Sequence, residues 1–277
     1  MQEFTGRTAV ITGGESGIGL ATAERLGREG MNLVLADIEE RALDEQVERL
    51  SADGLEVIGV VTDTADFASV TALAATATER FGNIHLVFNN AGVGGGGPML
   101  DDDMDVWEWV LGVNLYGVVH GIKAFGPGML AHGEPCAIVN TASMAGLLPT
   151  PGLGSYTVSK YAVVAMSETL ALETAGTNLS VHVLCPGFVA TQIADSDRNL
   201  PEHMARPLED DPGIEMLREA MRDLVSGGIP PAEVADRIVD AVRQGRFTIL
   251  PHPQYGPQIV ARAEGIVAGD AATSWDF

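Results

Sequence analysis

Tyr156 and Lys160 stand four residues apart near the start of a segment with helical spacing at 155–175, so their side chains share one helix face. A free phenol titrates near about 10, too high for an efficient base at neutral pH, and an adjacent ammonium stabilises its anion. Such a pair can exchange a proton with an alcohol. The spacing also recurs on ordinary helices, so its setting has to decide. Ser143 closes the apolar run CAIVNTAS, which puts a hydroxyl at the carboxyl edge of a sheet, where it could hydrogen-bond a reacting oxygen and steady developing charge. A strand-end serine can equally be a turn or cap residue.

A second group of residues has the chemistry of a phosphate cradle. An apolar run at 8–12 leads into Thr12-Gly13-Gly14-Glu15-Ser16-Gly17-Ile18-Gly19 and then into a helical pattern. There, backbone N–H groups and a helix N-terminus meet an anion, and glycines allow close approach. The spacing, Gly-x3-Gly-x-Gly, departs from G-x-G-x-x-G, and a tight turn would also use these glycines. The next apolar run ends at Ala36-Asp37. An acid about 20 residues beyond the glycine turn can accept hydrogen bonds from adenosine ribose hydroxyls and repel a 2′-phosphate. Neither Ser16 nor Ile38 supplies a cation for such a phosphate, and Glu15 adds negative charge. NAD is therefore expected over NADP, unless Asp37 is only a strand-end turn residue.

Apolar runs at 8–12, 32–36, 56–61, 84–89, 136–141, 180–185 and 247–250 alternate with helical patterns at 18–29, 40–52, 67–81, 104–129, 155–175 and 231–244. This alternation predicts an α/β fold, a doubly wound parallel seven-stranded sheet with helices on both faces. No linker divides the chain, so residues 1–277 read as one catalytic domain. The interval 190–228 breaks the rhythm with Pro201, Pro207, Pro212 and a helical stretch near 214–225. Connections of that length are lids or disordered segments.

A net charge of −22 with 46% hydrophobic content suits a globular chain and opposes binding to nucleic acid or an anionic membrane. Cys136 and Cys185 lie in apolar stretches and read as buried reduced thiols. No apolar run reaches the roughly 20 residues of a membrane span, and the N-terminus lacks the order of a signal peptide. The cytoplasm is the expected location. His85, His120 and His182 have no metal-ligand spacing, so no metal is expected. His252, in a proline-flanked tail, reads as a surface or subunit-contact residue.

Taken together, the residues resemble the short-chain dehydrogenase/reductase family over nearly the whole chain. Thr12-Gly13-x3-Gly17-Ile18-Gly19 is similar to its cofactor motif, Asp63 to its adenine-contacting acid, with Thr64 following, and Asn89-Asn90-Ala91-Gly92 to the segment beside the cofactor. Asn114, Ser143, Tyr156 and Lys160 fall where the family keeps its tetrad, with thirteen residues from Ser143 to Tyr156. Pro186-Gly187-x-Val189-x-Thr191 resembles the motif whose threonine holds the nicotinamide carboxamide. The resemblance implies that Tyr156 is the acid/base and that Lys160 lowers its pKa and binds the nicotinamide ribose. It implies further that Ser143 polarises the substrate oxygen and that Asn114 holds a relay water. It also implies NAD contacts by Gly13, Ser16, Gly17, Ile18, Gly19, Asp37, Ile38, Asp63, Thr64, Asn90, Ala91 and Gly92. Tyr156, Lys160, Pro186, Gly187, Val189 and Thr191 complete that set. The glycine run 94–97 departs from the usual pattern.

Loops at 93–103, 144–154 and 191–225 should choose the substrate. Met144, Leu147, Leu148, Leu153, Phe188 and Ile193 could line a pocket for a bulky hydrophobic alcohol or ketone, or pack a lid onto the core. Segments at 109–114, 125–130 and 248–255 loosely resemble bacterial aryl-alcohol Cα-dehydrogenases and dehydrogenases of steroid or terpenoid alcohols. A carrier-linked ketoacyl reductase is opposed by Asp37 and the net charge. A nonenzymatic dinucleotide sensor would be expected to lack Tyr156 and Lys160. The family implies a homo-oligomer, tetramer or dimer, joined through the helices at 104–129 and 155–175.

Overall fold

A computed structural model describes residues 1–201, 204 and 212–275, with 212–218 described by backbone alone. The strands are β1 (Thr8–Thr12), β2 (Asn32–Asp37), β3 (Val57–Val61), β4 (Leu86–Asn89), β5 (Cys136–Thr141), β6 (Leu179–Leu184) and β7 (Thr248–Ile249). All pair in parallel in the order β3-β2-β1-β4-β5-β6-β7. The fold is the doubly wound, Rossmann-like α/β sheet that the alternation predicts, with strand bounds shifted by one or two residues. Chain order reverses between β1 and β4, and in such sheets the crevice beyond the carboxyl ends at that reversal takes ligands.

Residues of one strand alternate between two cores. Ile11, Leu35 and Phe88 lie in the cluster that includes Leu26 and Ile238, while Val10, Val34 and Val87 pack with Leu73 and Phe125. Helices α1 (Gly17–Arg28) and α8 (Pro231–Gln244) supply the first set of partners; α3 (Phe67–Phe81) and α5 (Gly117–Ala131) supply the second. Burial on both faces explains why the strands read as continuous apolar runs. The remaining helices are α2 (Glu40–Ala52), α4 (Met104–Leu111), α6 (Gly154–Glu173), α7 (Pro212–Ser226) and α9 (Gly256–Ala268).

Local chemistry sets several helix ends. Asp66 and Asp103 cap α3 and α4, accepting from the amides of Ala68 and Asp105, and α8 starts with Pro231 in its first turn and stops at left-handed Gly245.

The helix expected at 104–129 is interrupted. Gly112–Tyr116 forms a wide π turn between α4 and α5, and its extra residue turns Asn114 fully inward. The sequence pattern also overlooked α9. The helix expected near 214–225 is α7, whereas Pro207 and residues 202–203, 205–206 and 208–211 of the expected lid lie outside the described residues. No described helix is long and apolar enough to cross a membrane.

Candidate active site

The glycine loop is shaped by contact with the neighbouring strand end. Gly13 has φ +62°, and a Cβ there would sit 2.9 Å from Ala91 Cα; a Cβ on Gly19 would fall 1.9 Å from the Gly13 carbonyl. Side chains are thus barred by the approach of loop, α1 and the 90–91 backbone. Thr12, which sequence reasoning left outside the site, ties these parts together. Its Oγ1 accepts from the amides of Asn90 and Ala91 at 3.0 and 3.1 Å, and Asn90 Nδ2 donates to the carbonyls of Thr12 and Gly13. Ser16 makes no capping hydrogen bond, and the first turn of α1, which holds Ile18, carries no acid. The positive end of that helix is thereby kept for an anion.

Asp37 closes β2, and its carboxylate accepts from the amides of Glu15 at 3.4 Å and Glu39 at 3.2 Å. Burial raises its carboxyl above the usual range against those hydrogen bonds. Ile38 beside it is half exposed. Ser16 and Ile38 supply no cation here, as the sequence already shows, but one comes from farther along the chain. Arg198 arrives from the 3-10 turn Ile193–Asn199 to pair with Glu39 at 2.8 Å and Glu15 at 3.8 Å, and Asn199 also donates to Glu39. After β3, Asp63 accepts from Ala65 N, and the Thr64 carbonyl accepts from His120 at 2.9 Å.

Four polar side chains come together beyond β4 and β5. Asn114 accepts from Val93 N at 2.8 Å and donates to Val93 O at 3.0 Å, with Ser159 Oγ at 3.4 Å. It therefore pins the chain after Gly92, where an added Cβ would meet Asn114 Oδ1 at 3.2 Å and Lys160 Nζ at 3.5 Å. Ser143 caps the 3-10 turn Met144–Gly146, accepts from Ala145 N at 3.1 Å and donates to the Pro186 carbonyl at 3.5 Å. Tyr156 hydrogen-bonds Ser143 through its side chain. Lys160 is buried, donates to Thr141 O at 3.1 Å and lies 5.5 Å from the centre of the Tyr156 ring.

The electrostatics differ from those expected of the pair alone. Burial raises the Tyr156 phenol, although the residue keeps partial exposure, and the Ser143 hydrogen bond only opposes that rise. Burial also lowers the Lys160 amine to about 8. The ammonium stands over the Tyr156 ring, 5.5 Å from its centre, and its own charge is disfavoured. In the protein by itself, desolvation outweighs the stabilisation of tyrosinate read from the spacing.

The segment 186–191 forms the far wall. Pro186 O accepts from Met144 N at 2.8 Å, Val189 bridges to Ile229, and Thr191 faces the glycine loop, with its Cγ2 3.0 Å from a Cβ placed on Gly17. His252 is not a surface residue. It is 5% exposed and bonds this wall through both ring nitrogens, to Gly187 N at 2.9 Å and Phe188 O at 3.0 Å. Its proline flanks read as a loop signal and gave no hint of that burial.

Of the expected lining residues Met144, Leu147, Leu148, Leu153, Phe188 and Ile193, Met144 and Leu148 are fully buried and pack with Trp275 rather than facing open space. Trp275 comes from the chain's end and stacks on Phe188 at 5.4 Å. The glycine run also has a physical reason: a Cβ on Gly94 would meet Ile193 O at 2.7 Å, and one on Gly96 would meet Ser155 Oγ at 2.7 Å. No cluster of His, Cys, Asp or Glu able to hold a metal exists among the described residues.

A parallel sheet whose reversal point carries a glycine-lined helix end, a strand-end acid and a Ser-Tyr-Lys cluster defines a dinucleotide-type oxidoreductase fold and site. Residues 7–201 match the family model for short chain dehydrogenases, and the protein belongs to that family. It is 43% identical over 186 residues to a 1-deoxy-11-beta-hydroxypentalenate dehydrogenase of Streptomyces avermitilis, covering 66% of this chain and 69% of the relative. It is 30% identical to a C alpha-dehydrogenase of a Sphingobium species, covering 92% and 83% respectively, so the loose likeness to Cα-dehydrogenases is found. A short chain dehydrogenase/reductase from Burkholderia phymatum, solved in complex with NAD, superposes with TM-score 0.95 at 43% identity over the full length of both chains.

Proposed function

We propose that the protein moves a hydride between NAD(H) and a bulky hydrophobic secondary alcohol or ketone, with Tyr156 as acid/base. The observation that carries this reading is the Tyr156 hydroxyl, held by Ser143 and backed by Lys160 at the reversal point of the sheet. The Burkholderia relative's NAD complex supports the choice of cofactor. The cradle fits a dinucleotide because side chains are excluded where a pyrophosphate would approach α1, and Asp37 is partly buried with a carboxylate already oriented by two amides.

Gly13, Ser16, Gly17, Ile18 and Gly19 would hold the pyrophosphate, Asp37 and Ile38 the adenosine ribose, and Asp63 and Thr64 the adenine. Asn90, Ala91, Gly92, Pro186, Gly187, Val189 and Thr191 would flank the nicotinamide half, with Lys160 at its ribose. The bound cofactor supplies the hydride acceptor or donor and, when oxidised, a positive charge. In oxidation, Tyr156 Oη takes the alcohol proton as the C–H bond breaks; in reduction it returns that proton to the carbonyl oxygen. Ser143 Oγ hydrogen-bonds the same oxygen, and Asn114 fixes the backbone beside Gly92 and holds a relay water.

Relatives named for a hydroxypentalenate and for Cα-dehydrogenation support the substrate class. Residues 1–277 act as one catalytic unit in this reading, with 190–228 as its substrate lid. Nucleic acid and membranes are not partners, and the protein works in the cytoplasm, in keeping with two buried free thiols, Cys136 raised to about 11 and Cys185 to about 12 by burial. It assembles as a homo-oligomer, dimer or tetramer, through the helical stretch 104–129, which holds α4 and most of α5, and through α6.

Tyr156→Phe tests the chemistry. Its kcat should fall by at least about a hundredfold while NADH fluorescence still reports binding; turnover close to wild type with a panel of aryl, steroid and terpenoid alcohols would sink the mechanism.

A further inference from the structure

We propose that His252 is a positioning residue for the nicotinamide side of the site, holding the 186–189 segment in place as a neutral imidazole. This rests on the reading of that segment as a cofactor wall. Gly187 N can only donate and Phe188 O can only accept, so Nδ1 of His252 receives the first hydrogen bond and Nε2 carries the proton given to the second. One tautomer therefore satisfies both partners, two consecutive peptide groups of the wall. The ring also packs flat enough on the chain that a Cβ on Gly187 would stand 3.2 Å from His252 Cγ and 3.2 Å from Tyr255 Cε2.

The clamp meets the catalytic cluster across one residue. Pro186, directly before Gly187, receives Met144 N and Ser143 Oγ at its carbonyl. On the other side, Phe188 O also accepts from Ile229 N at 3.2 Å, and Trp275 stacks on the Phe188 ring. The wall is thus fixed between Ser143, Ile229 and His252, and only His252 among these can change charge. Protonation at Nδ1 would set an N–H against the Gly187 N–H and open the clamp. Burial lowers the imidazole below its ordinary value, aided by Arg237 and opposed by the Phe188 carbonyl and Glu233, while Tyr255 packs beside it and Trp275 packs edge-on against Tyr255.

Binding of NADH to full-length wild type, His252→Ala and His252→Asn, followed by fluorescence between about pH 5.5 and 8, tests this across the histidine range. Around pH 8, His252→Ala should bind about tenfold more weakly, for two lost hydrogen bonds, while kcat at saturating NAD changes far less. His252→Asn, whose amide can accept and donate in the same places, should recover most of that affinity. Because asparagine does not titrate, it should overtake wild type once His252 takes its proton, whereas the deficit of the alanine variant should shrink. Asp37 is common to all three proteins and cancels in these ratios. Amide exchange at Gly187 without cofactor should quicken in His252→Ala.

Equal affinity of wild type and His252→Ala at pH 8 overturns the proposal while leaving the cofactor reading intact. A wild type that binds no NADH overturns both. If the alanine variant does not fold, His252→Phe, which keeps the bulk of a ring but makes neither hydrogen bond, carries the test, and wild-type affinity in it is decisive.

Discussion

Lys160 carries a cost that its role explains. A buried amine lowered to about 8 has a folded pKa below its unfolded value near 10.4, so the unfolded chain binds more protons between the two and stability rises with pH across that window. Below it, the charged amine is buried against its preference by roughly 3 kcal/mol, at 1.36 kcal/mol per unit. Its hydrogen bond to Thr141 O returns about 1 kcal/mol. Lys160→Met should therefore abolish turnover and yet raise stability at pH 7 by about 1–2 kcal/mol, with the gain shrinking from about pH 8 upward and lost by about pH 10. Urea denaturation at both pH values checks this, and a variant less stable than wild type at pH 7 would contradict it. At this scale the grouping of Ser143, Tyr156 and Lys160 was legible from their setting among the other motifs, where the Tyr156–Lys160 spacing alone was not enough. The balance between charge and desolvation was not, because spacing places a lysine on a helix face without saying how deeply that face is buried.

At the scale of elements, regular periodicity was legible and its interruptions were not. One extra residue in a π turn leaves the apolar pattern of 104–129 readable as a single helix, yet it is what turns Asn114 inward. The approach of Ile193–Asn199 to α2 joins residues 159 positions apart, Arg198 and Glu39, and no local pattern announces it. That contact refines the choice of dinucleotide. Arg198 is the cation that pairs with the Glu15 and Glu39 carboxylates beside Asp37, and Glu39 engages it directly. Removing the carboxylate should release the guanidinium toward a 2′-phosphate, which arginine binds well. Glu39→Ala should tighten NADP binding by about three- to tenfold, the scale of a partly exposed ion pair, with NAD affinity little changed. Asp37 keeps NADP the weaker ligand. Calorimetric titration reads both; adding Arg198→Ala should reverse the gain, and an NADP affinity indifferent to either substitution would exclude Arg198 from the adenosine site.

Over the whole molecule, the parallel sheet was legible because its inner strands β2, β1, β4, β5 and β6 are buried on both faces, while assembly depends on surfaces whose partners lie outside the chain. Between α5 and α6 runs a groove lined by Val119, Ile122, Leu130, Met166 and Leu170, with Leu130 39% exposed. Covering such a face favours association. The charge of −22 on every copy opposes it, and the repulsion acts over a Debye length of about 30 Å at 0.01 M salt but about 10 Å at 0.1 M. Apolar attraction is short-ranged and little affected by moderate salt, so the two terms separate by ionic strength. Sedimentation velocity should show the oligomer strengthening as salt rises across that range, and Leu130→Glu, at a position already in contact with solvent, should shift the distribution to smaller species at every salt concentration. A wild type that stays monomeric throughout, or an oligomer indifferent to Leu130→Glu, would remove α5 and α6 as the joining face.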